Sequence, residues 1–149
     1  MLKLNLPEYQ FNIKKQRNRL AIFDSLRRKF VALTPEEWVR QNFVAFLINE
    51  KHYPQGLMAN EVEMDQNGIK RRSDTLVANQ QGEPLMIVEY KAPHIEITQK
   101  VFDQIVRYNM VLKSKYLTVS NGMTHYCCQI NYTDNSYTFL SEIPDYENL

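Results

Sequence analysis

Short runs rich in β-branched and apolar residues, each bounded by turn residues, mark strands over Met58–Met64, Arg71–Val77, Leu85–Lys91, Lys115–Ser120, Met123–Tyr132 and Tyr137–Leu140. The intervening Gln66-Asn67-Gly68, Asn79–Pro84, Asn121-Gly122 and Asp134-Asn135-Ser136 supply the turns. Two stretches carry a helical period instead. One follows Thr34, a good N-cap, with Pro35 at the first helical position and Glu37 placed to complete a capping box; its apolar stripe is Trp38, Val39, Phe43, Phe46 and Leu47. The other runs from Thr98 to Leu112 with Val101, Ile105, Tyr108 and Leu112 at stripe spacing. Leu4–Ile13 alternates, and a charged turn over residues 14–19 leads into Leu20–Phe23, a hairpin or an extended arm; the pattern leaves Asp24–Val31 open between strand and helix. The expected architecture is α/β: a mixed sheet of about four or five strands flanked by helices 35–50 and 98–112, with additional strands at the N-terminus.

On a strand, residues two apart share a face, so Glu89 and Lys91 point the same way at the end of the run that begins with Leu85. Antiparallel pairing across the Asn79–Pro84 turn can bring Asp74 alongside them, although sequence does not fix the register. Two carboxylates and an ammonium gathered there suit phosphodiester hydrolysis. Carboxylates hold Mg²⁺, which polarises a phosphoryl oxygen and acidifies a bound water, and the ammonium can orient that water. A solvated Glu–Lys ion pair is the plainer reading of the same spacing, worth about 0–1 kcal/mol.

Other polar residues are candidates by position. Glu37 is explained by the helix start alone, and Arg40, one turn on, can pair with it or meet a phosphate. Glu61 and Glu63 beside Arg71 and Arg72 suit cross-strand ion pairs. Gln104 and Tyr108, four apart, lie on one helix face.

Composition narrows the class. With 44% hydrophobic and 23% charged residues, the 149-residue chain is expected to be a single domain over 1–149. It divides into a basic arm or hairpin at 1–30, a core at 31–140 and an acidic tail at 141–149 expected to fray. Net charge is only +1, but residues 1–30 hold eight cations against two acids, and residues from 131 on hold four acids and no cation. The basic end reads either as a phosphate-binding surface or as protection of exposed strand edges. Met1–Pro7 has no apolar leader and no run approaches the ~18 apolar residues of a membrane span, so a cytoplasmic location away from membranes is expected. His52, His94 and His125 lack zinc spacing. Adjacent Cys127 and Cys128 would point to opposite faces of a strand, as reduced structural thiols. The four glycines all sit at turns, which excludes a phosphate-binding P-loop.

Taken together, Thr34–Gln41, Arg72-Ser73-Asp74, Val88–Pro93, Gln104–Asn109 and Ser120-Asn121-Gly122 resemble the PD-(D/E)XK nuclease superfamily. More closely, they are similar to the N-terminal nuclease domain of type I restriction enzyme R subunits, over about Leu6 to Tyr146. Ser73 stands where the superfamily motif has proline. The resemblance implies a restriction-endonuclease-like core and Mg²⁺-dependent DNA cleavage, with Mn²⁺ as a substitute. Asp74, Glu89 and the Tyr90 carbonyl would bind the metal, Lys91 would act on the attacking water, and Glu37 would support the hydrated metal. Gln104, Tyr108, Arg40 and Arg72 would touch DNA or orient the acids, with Glu61 a further acid near the site. It also implies DNA, a separate helicase or translocase and restriction-modification subunits as partners, R subunits being longer and carrying motor domains. The alternative is a nuclease fold that binds DNA or docks on subunits without cutting.

Overall fold

Alternating side chains and tight turns close two sheets in the computed structural model, which describes residues 1–149. The smaller is an antiparallel meander of β1 (Ile13–Gln16), β2 (Arg19–Asp24) and β3 (Lys29–Ala32). The stretch after Asp24, undecided from its pattern, is a turn and a strand. The Asp24 carboxylate accepts the backbone N–H groups of Leu26 (2.7 Å) and Arg27 (3.1 Å), which reverses the chain.

The larger sheet has six strands, β4 (Met58–Gln66), β5 (Ile69–Ala78), β6 (Pro84–Tyr90), β7 (Tyr116–Ser120), β8 (His125–Asn131) and β9 (Ser136–Phe139), in that order. It exceeds the expected four or five because the short terminal strand pairs in full register with β8. Every pairing is antiparallel except β6 with β7. A parallel pair needs a long crossover, and α2 (Gln99–Asn109) with its following 3-10 turn (Met110–Leu112) provides it.

Helix α1 (Pro35–Glu50) starts where its capping residues require: the Thr34 hydroxyl accepts the Glu37 N–H at 3.0 Å. It covers one face of the large sheet, where Val39, Phe43 and Leu47 meet Val77, Met86, Val88 and Tyr90. Helix α2 and its 3-10 turn cover the other face, with Phe102 and Val106 of the helix and Leu112 of the turn against Ile87, Leu117 and Cys128. Met86, Ile87 and Val88 are therefore all fully buried, and β6 is a central strand sealed on both sides. Burying an aliphatic side chain of this size stabilises the fold by about 1.5–3 kcal/mol. Cys127 and Cys128 divide between the two faces as free thiols.

Two expectations change. The buried stripe of α2 is Phe102, Val106 and Asn109, one position on from the anticipated Val101, Ile105 and Tyr108, of which Tyr108 is 45% exposed; Leu112, the last of the anticipated stripe, is buried. The C-terminal tail is docked rather than frayed. Ile143 joins the α1-side core, the Tyr146 N–H reaches the Lys51 carbonyl (3.0 Å) and its hydroxyl the Ala78 carbonyl (3.1 Å), while Tyr53 donates to the Pro144 carbonyl (2.9 Å). No helix is long and apolar enough to cross a membrane.

Candidate carboxylate and metal site

The register of β5 with β6 decides where the acids meet. Thr75 pairs with Val88 and Leu76 with Ile87, so one step further Asp74 stands opposite Glu89. Opposed residues of an antiparallel pair share a face, and the two carboxyl groups interact directly. Asp74 is fixed from both sides. Its Oδ2 accepts the Tyr90 N–H at 2.9 Å, and its carbonyl accepts Arg40 Nη1 at 2.8 Å. Tyr90 turns its ring to the α1 face, where its hydroxyl shares a hydrogen bond with Thr75 Oγ1 at 2.8 Å.

Glu89 is the perturbed group of the site. Burial, and then the charge of Asp74, pushes its pKa up to about 9; the Lys91 charge only partly offsets this. Its Oε1 is buried without a hydrogen-bond partner, as is Oδ1 of Asn109. At neutral pH the two acids together hold a proton unless a cation takes its place. Lys91 follows at the strand end, where its N–H bonds the Ser120 carbonyl (2.9 Å). Its side chain is half-buried, and its charge reaches both Glu89 and Glu36.

Across from these, β4 contributes Glu61, which faces Asp74 between the bonded pairs Asn60–Thr75 and Val62–Ser73. Its φ of 57° is left-handed in the middle of a strand, a conformation that persists only where the surroundings hold it. Arg40 Nη2 and Arg72 Nε supply that hold, each 2.6 Å from its carboxylate. Burial alone would raise the Glu61 pKa, but the Arg40 hydrogen bond and the charges of Arg40 and Arg72 keep it below the ordinary value.

The first helix presents two neighbouring acids with different fates. Glu37 is buried and occupied: Arg27 Nη2 lies 2.8 Å from its Oε1, and Gln41 Nε2 (2.9 Å) and Arg40 Nε (3.2 Å) reach its Oε2. Its carboxylate therefore does not turn back to complete the capping box. Glu36 is the acid whose charge couples to the site. Burial, then the Asp74 charge, raises its pKa against the opposing charges of Arg40 and Lys91. The capping pattern explained Glu37 by the helix start alone, and its place beside the metal was what the family resemblance implied; adjacent helical residues differ by about 100° in direction, and the docking of α1 turns Glu37 to Arg27, Gln41 and Arg40.

Arg40 is buried at 4% exposure between Glu37, Glu61 and the Asp74 carbonyl. This is a place for orienting acids, with no open side for a phosphate. Arg72 is exposed and bonded to Glu61. Gln104 and Tyr108 lie on the outer surface of α2. The Tyr108 ring is covered by the Arg71 guanidinium at 4.4 Å, and the Arg71 Nε donates to the Tyr108 carbonyl at 2.8 Å. Asn109 and Asp24 went unnoticed in the sequence. Asn109 had a signal, a polar residue three after Val106 on the buried stripe; Asp24 had none, because its partners Arg27 and Asn60 (2.9 Å) come together only in the fold.

No group of three or more His, Cys, Asp or Glu side chains is arranged as a metal cage. Mg²⁺ asks for less, since one or two carboxylates, waters and substrate oxygens complete its octahedron. The facing acids and the unpartnered Glu89 oxygen fit such a cation.

Comparison with known proteins places the chain in a family. The family model for the type I restriction enzyme R protein N terminus (HSDR_N) matches residues 35–144. A fragment structure of a putative HsdR subunit of a type I restriction enzyme from Vibrio vulnificus YJ016 is similar in fold, with a TM-score of 0.51 at 20% identity. The match covers 75% of this chain and 24% of that one, so the chain spans about a quarter of its length. Comparison with curated proteins finds no match.

Proposed function

Starting from the fact that the chain belongs to the family of type I restriction enzyme R protein N termini, we propose that it is a Mg²⁺-dependent endonuclease domain hydrolysing DNA phosphodiester bonds. The observation that carries this reading is the Asp74–Glu89 pair, two carboxyls facing each other at the end of a central strand with one oxygen unpartnered and Lys91 beside them. Such a pair is poorly suited to stability, because both acids cannot ionise without a compensating cation.

Asp74, Glu89 and the Tyr90 carbonyl would hold Mg²⁺ or Mn²⁺, which when bound acidifies a water and polarises a phosphoryl oxygen. The chain's own groups do the rest. Lys91 enters no ion pair within the domain, so its ammonium is free to orient the attacking water and to balance charge developing on the phosphate. Glu36 takes the supporting place first assigned to Glu37, accepting hydrogen bonds from water at the mouth of the site. Arg40 fixes the Asp74 backbone and Glu61, and Arg72 fixes Glu61, so that the acids keep their spacing. Gln104 and Tyr108 are the outer groups for substrate contact. In this reading DNA and other restriction-modification subunits, including a translocase, are the partners.

The test is nicking of supercoiled plasmid with Mg²⁺ or Mn²⁺, beside Asp74→Ala and Lys91→Ala. Metal-dependent nicking lost in both variants supports the enzyme. Retarded plasmid with no nicking under any metal condition overturns it in favour of a DNA-binding or subunit-docking module.

A further inference from the structure

The six exposed cations of the small sheet have no place in the chemistry above. Lys14, Lys15, Arg17, Arg19, Arg28 and Lys29 all face solvent, and none enters a salt bridge. The sheet's single acid, Asp24, is 1% exposed and is neutralised by Arg27, the one paired cation of the sheet. The solvent-facing surface of β1–β3 thus carries positive charge without a compensating carboxylate of its own.

Protection of strand edges explains only part of this. Lys14 and Lys15 on β1 and Lys29 on β3 lie on the two edges, where lysine discourages pairing with another chain. The arginines do not. Arg19 is on the central strand, Arg28 is in the β2–β3 turn, and Arg17 is at the hairpin tip. Arg17 and Asn18 have φ of 50° and 63°, the pair of left-handed residues of a two-residue hairpin. Asn or Gly is favoured at such positions, so the turn holds an arginine in a conformation it does not prefer.

We propose that this sheet is a clamp for the sugar-phosphate backbone of double-stranded DNA, with Lys14 and Arg19, which share one face of the hairpin, and Arg17 at its tip as the principal contacts. The inference rests on the nuclease reading for the identity of the polyanion, while its surface lies outside the Asp74–Glu89 centre. Reach fits a backbone track. From Asp24, tied to Asn60 of the large sheet, the hairpin runs about six residues to its tip, about 20 Å at ~3.3 Å per residue. Measured along the duplex axis, one DNA strand places roughly six phosphates over that distance. Guanidinium groups match phosphate geometry in a forked, two-bond mode. Stacking on single-stranded bases is less suited, since the Phe30 ring has Lys14 Nζ over it at 3.9 Å and meets Phe23 edge-on at 5.3 Å.

The experiment measures binding of a duplex oligonucleotide by the full chain in chelator, so that no cleavage occurs, over a series of salt concentrations. The variant carries Lys14→Gln, Arg17→Gln and Arg19→Gln. A control variant of comparable charge loss carries Lys100→Gln, Lys113→Gln and Lys115→Gln, and thermal unfolding checks that both are folded. Three lost phosphate contacts should lower the slope of log K against log salt by about three units and weaken binding at least tenfold at moderate salt. The control variant should stay near the parent. Unchanged affinity and slope in the hairpin variant, an equal loss in the control, or single strands bound more tightly than duplex through these residues would each overturn the proposal. Failure of the nuclease reading looks different: hairpin-dependent duplex binding would persist while plasmid stayed intact with every metal.

Discussion

Replacing Glu89 by Gln should make the domain more stable at neutral pH, and the size of the effect follows from linkage. In the unfolded chain this carboxyl titrates near 4.3, whereas in the fold burial and Asp74 push it up to about 9. Between those values the folded protein binds a proton that the unfolded chain has released, so stability is greatest at low pH and falls as pH rises. From about pH 5 to about pH 7 the loss is nearly two units at 1.36 kcal/mol per unit, or about 2.5 kcal/mol, whatever the folded value as long as it lies above 7. The Glu89→Gln protein would carry no such dependence. Glu36, also raised, works in the same direction. His125, whose pKa burial lowers, works in the opposite one below about 6.5, where acid destabilises it. Both groups are present in parent and variant, so the difference between the two proteins isolates the Asp74–Glu89 pair. Urea unfolding in chelator at the two pH values gives that difference directly. Mg²⁺ at ten times its Kd should then add about 1.4 kcal/mol to the parent at pH 7 and much less to Glu89→Gln. Parallel stability–pH curves for the two proteins, differing by under about 0.5 kcal/mol, would refute the reasoning, because a carboxyl that ionises normally cannot be facing Asp74 in a dry site.

Three further outcomes follow from the same geometry. Arg40→Ala should destabilise by about 3–5 kcal/mol in urea unfolding, since Glu37 and Glu61 would each lose a buried partner; Arg40→Ala with Glu37→Gln should recover part of that. Gly122→Ala should lower the melting temperature clearly more than Gly82→Ala. Both have φ near 80°, but a Cβ at 122 would stand 2.8 Å from Leu4 Cδ2, while nothing lies within 4 Å at 82. Ile143→Ala should destabilise by about 2–4 kcal/mol in the same assay, as expected of a docked tail and not of a frayed one.

Local signals carried much of this fold into the sequence. Thr34 and Pro35 marked the start of α1, and Asn67-Gly68 marked the β4–β5 hairpin, because a cap or tight turn is decided by residues within a few positions. What depended on distant contacts was less legible. Two apolar stripes lie side by side on α2, and only the aromatic group around Phe102, with Phe139 at 4.8 Å, shows which is inward. The pairing of Asp74 with Glu89 depends on a bulge between Val77 and Ala78, which shifts the register after the Asn79–Pro84 turn and leaves no mark in either strand's pattern. Glu36 and Glu37 are chemically alike and adjacent, so their division of labour exists only once Arg27 arrives from the small sheet.

Asp24, Arg27, Glu37, Arg40, Glu61 and Arg72 form a single file of alternating sign that begins in one sheet and ends in the other. Its interior members each answer to two partners, so most single losses leave every neighbour still paired; Arg27 is the exception that matters, as the one cation on the buried Asp24 carboxylate. Along a lineage Asp24 and Arg27 would therefore be replaced together or not at all, and two homologues that differ at one should differ at the other.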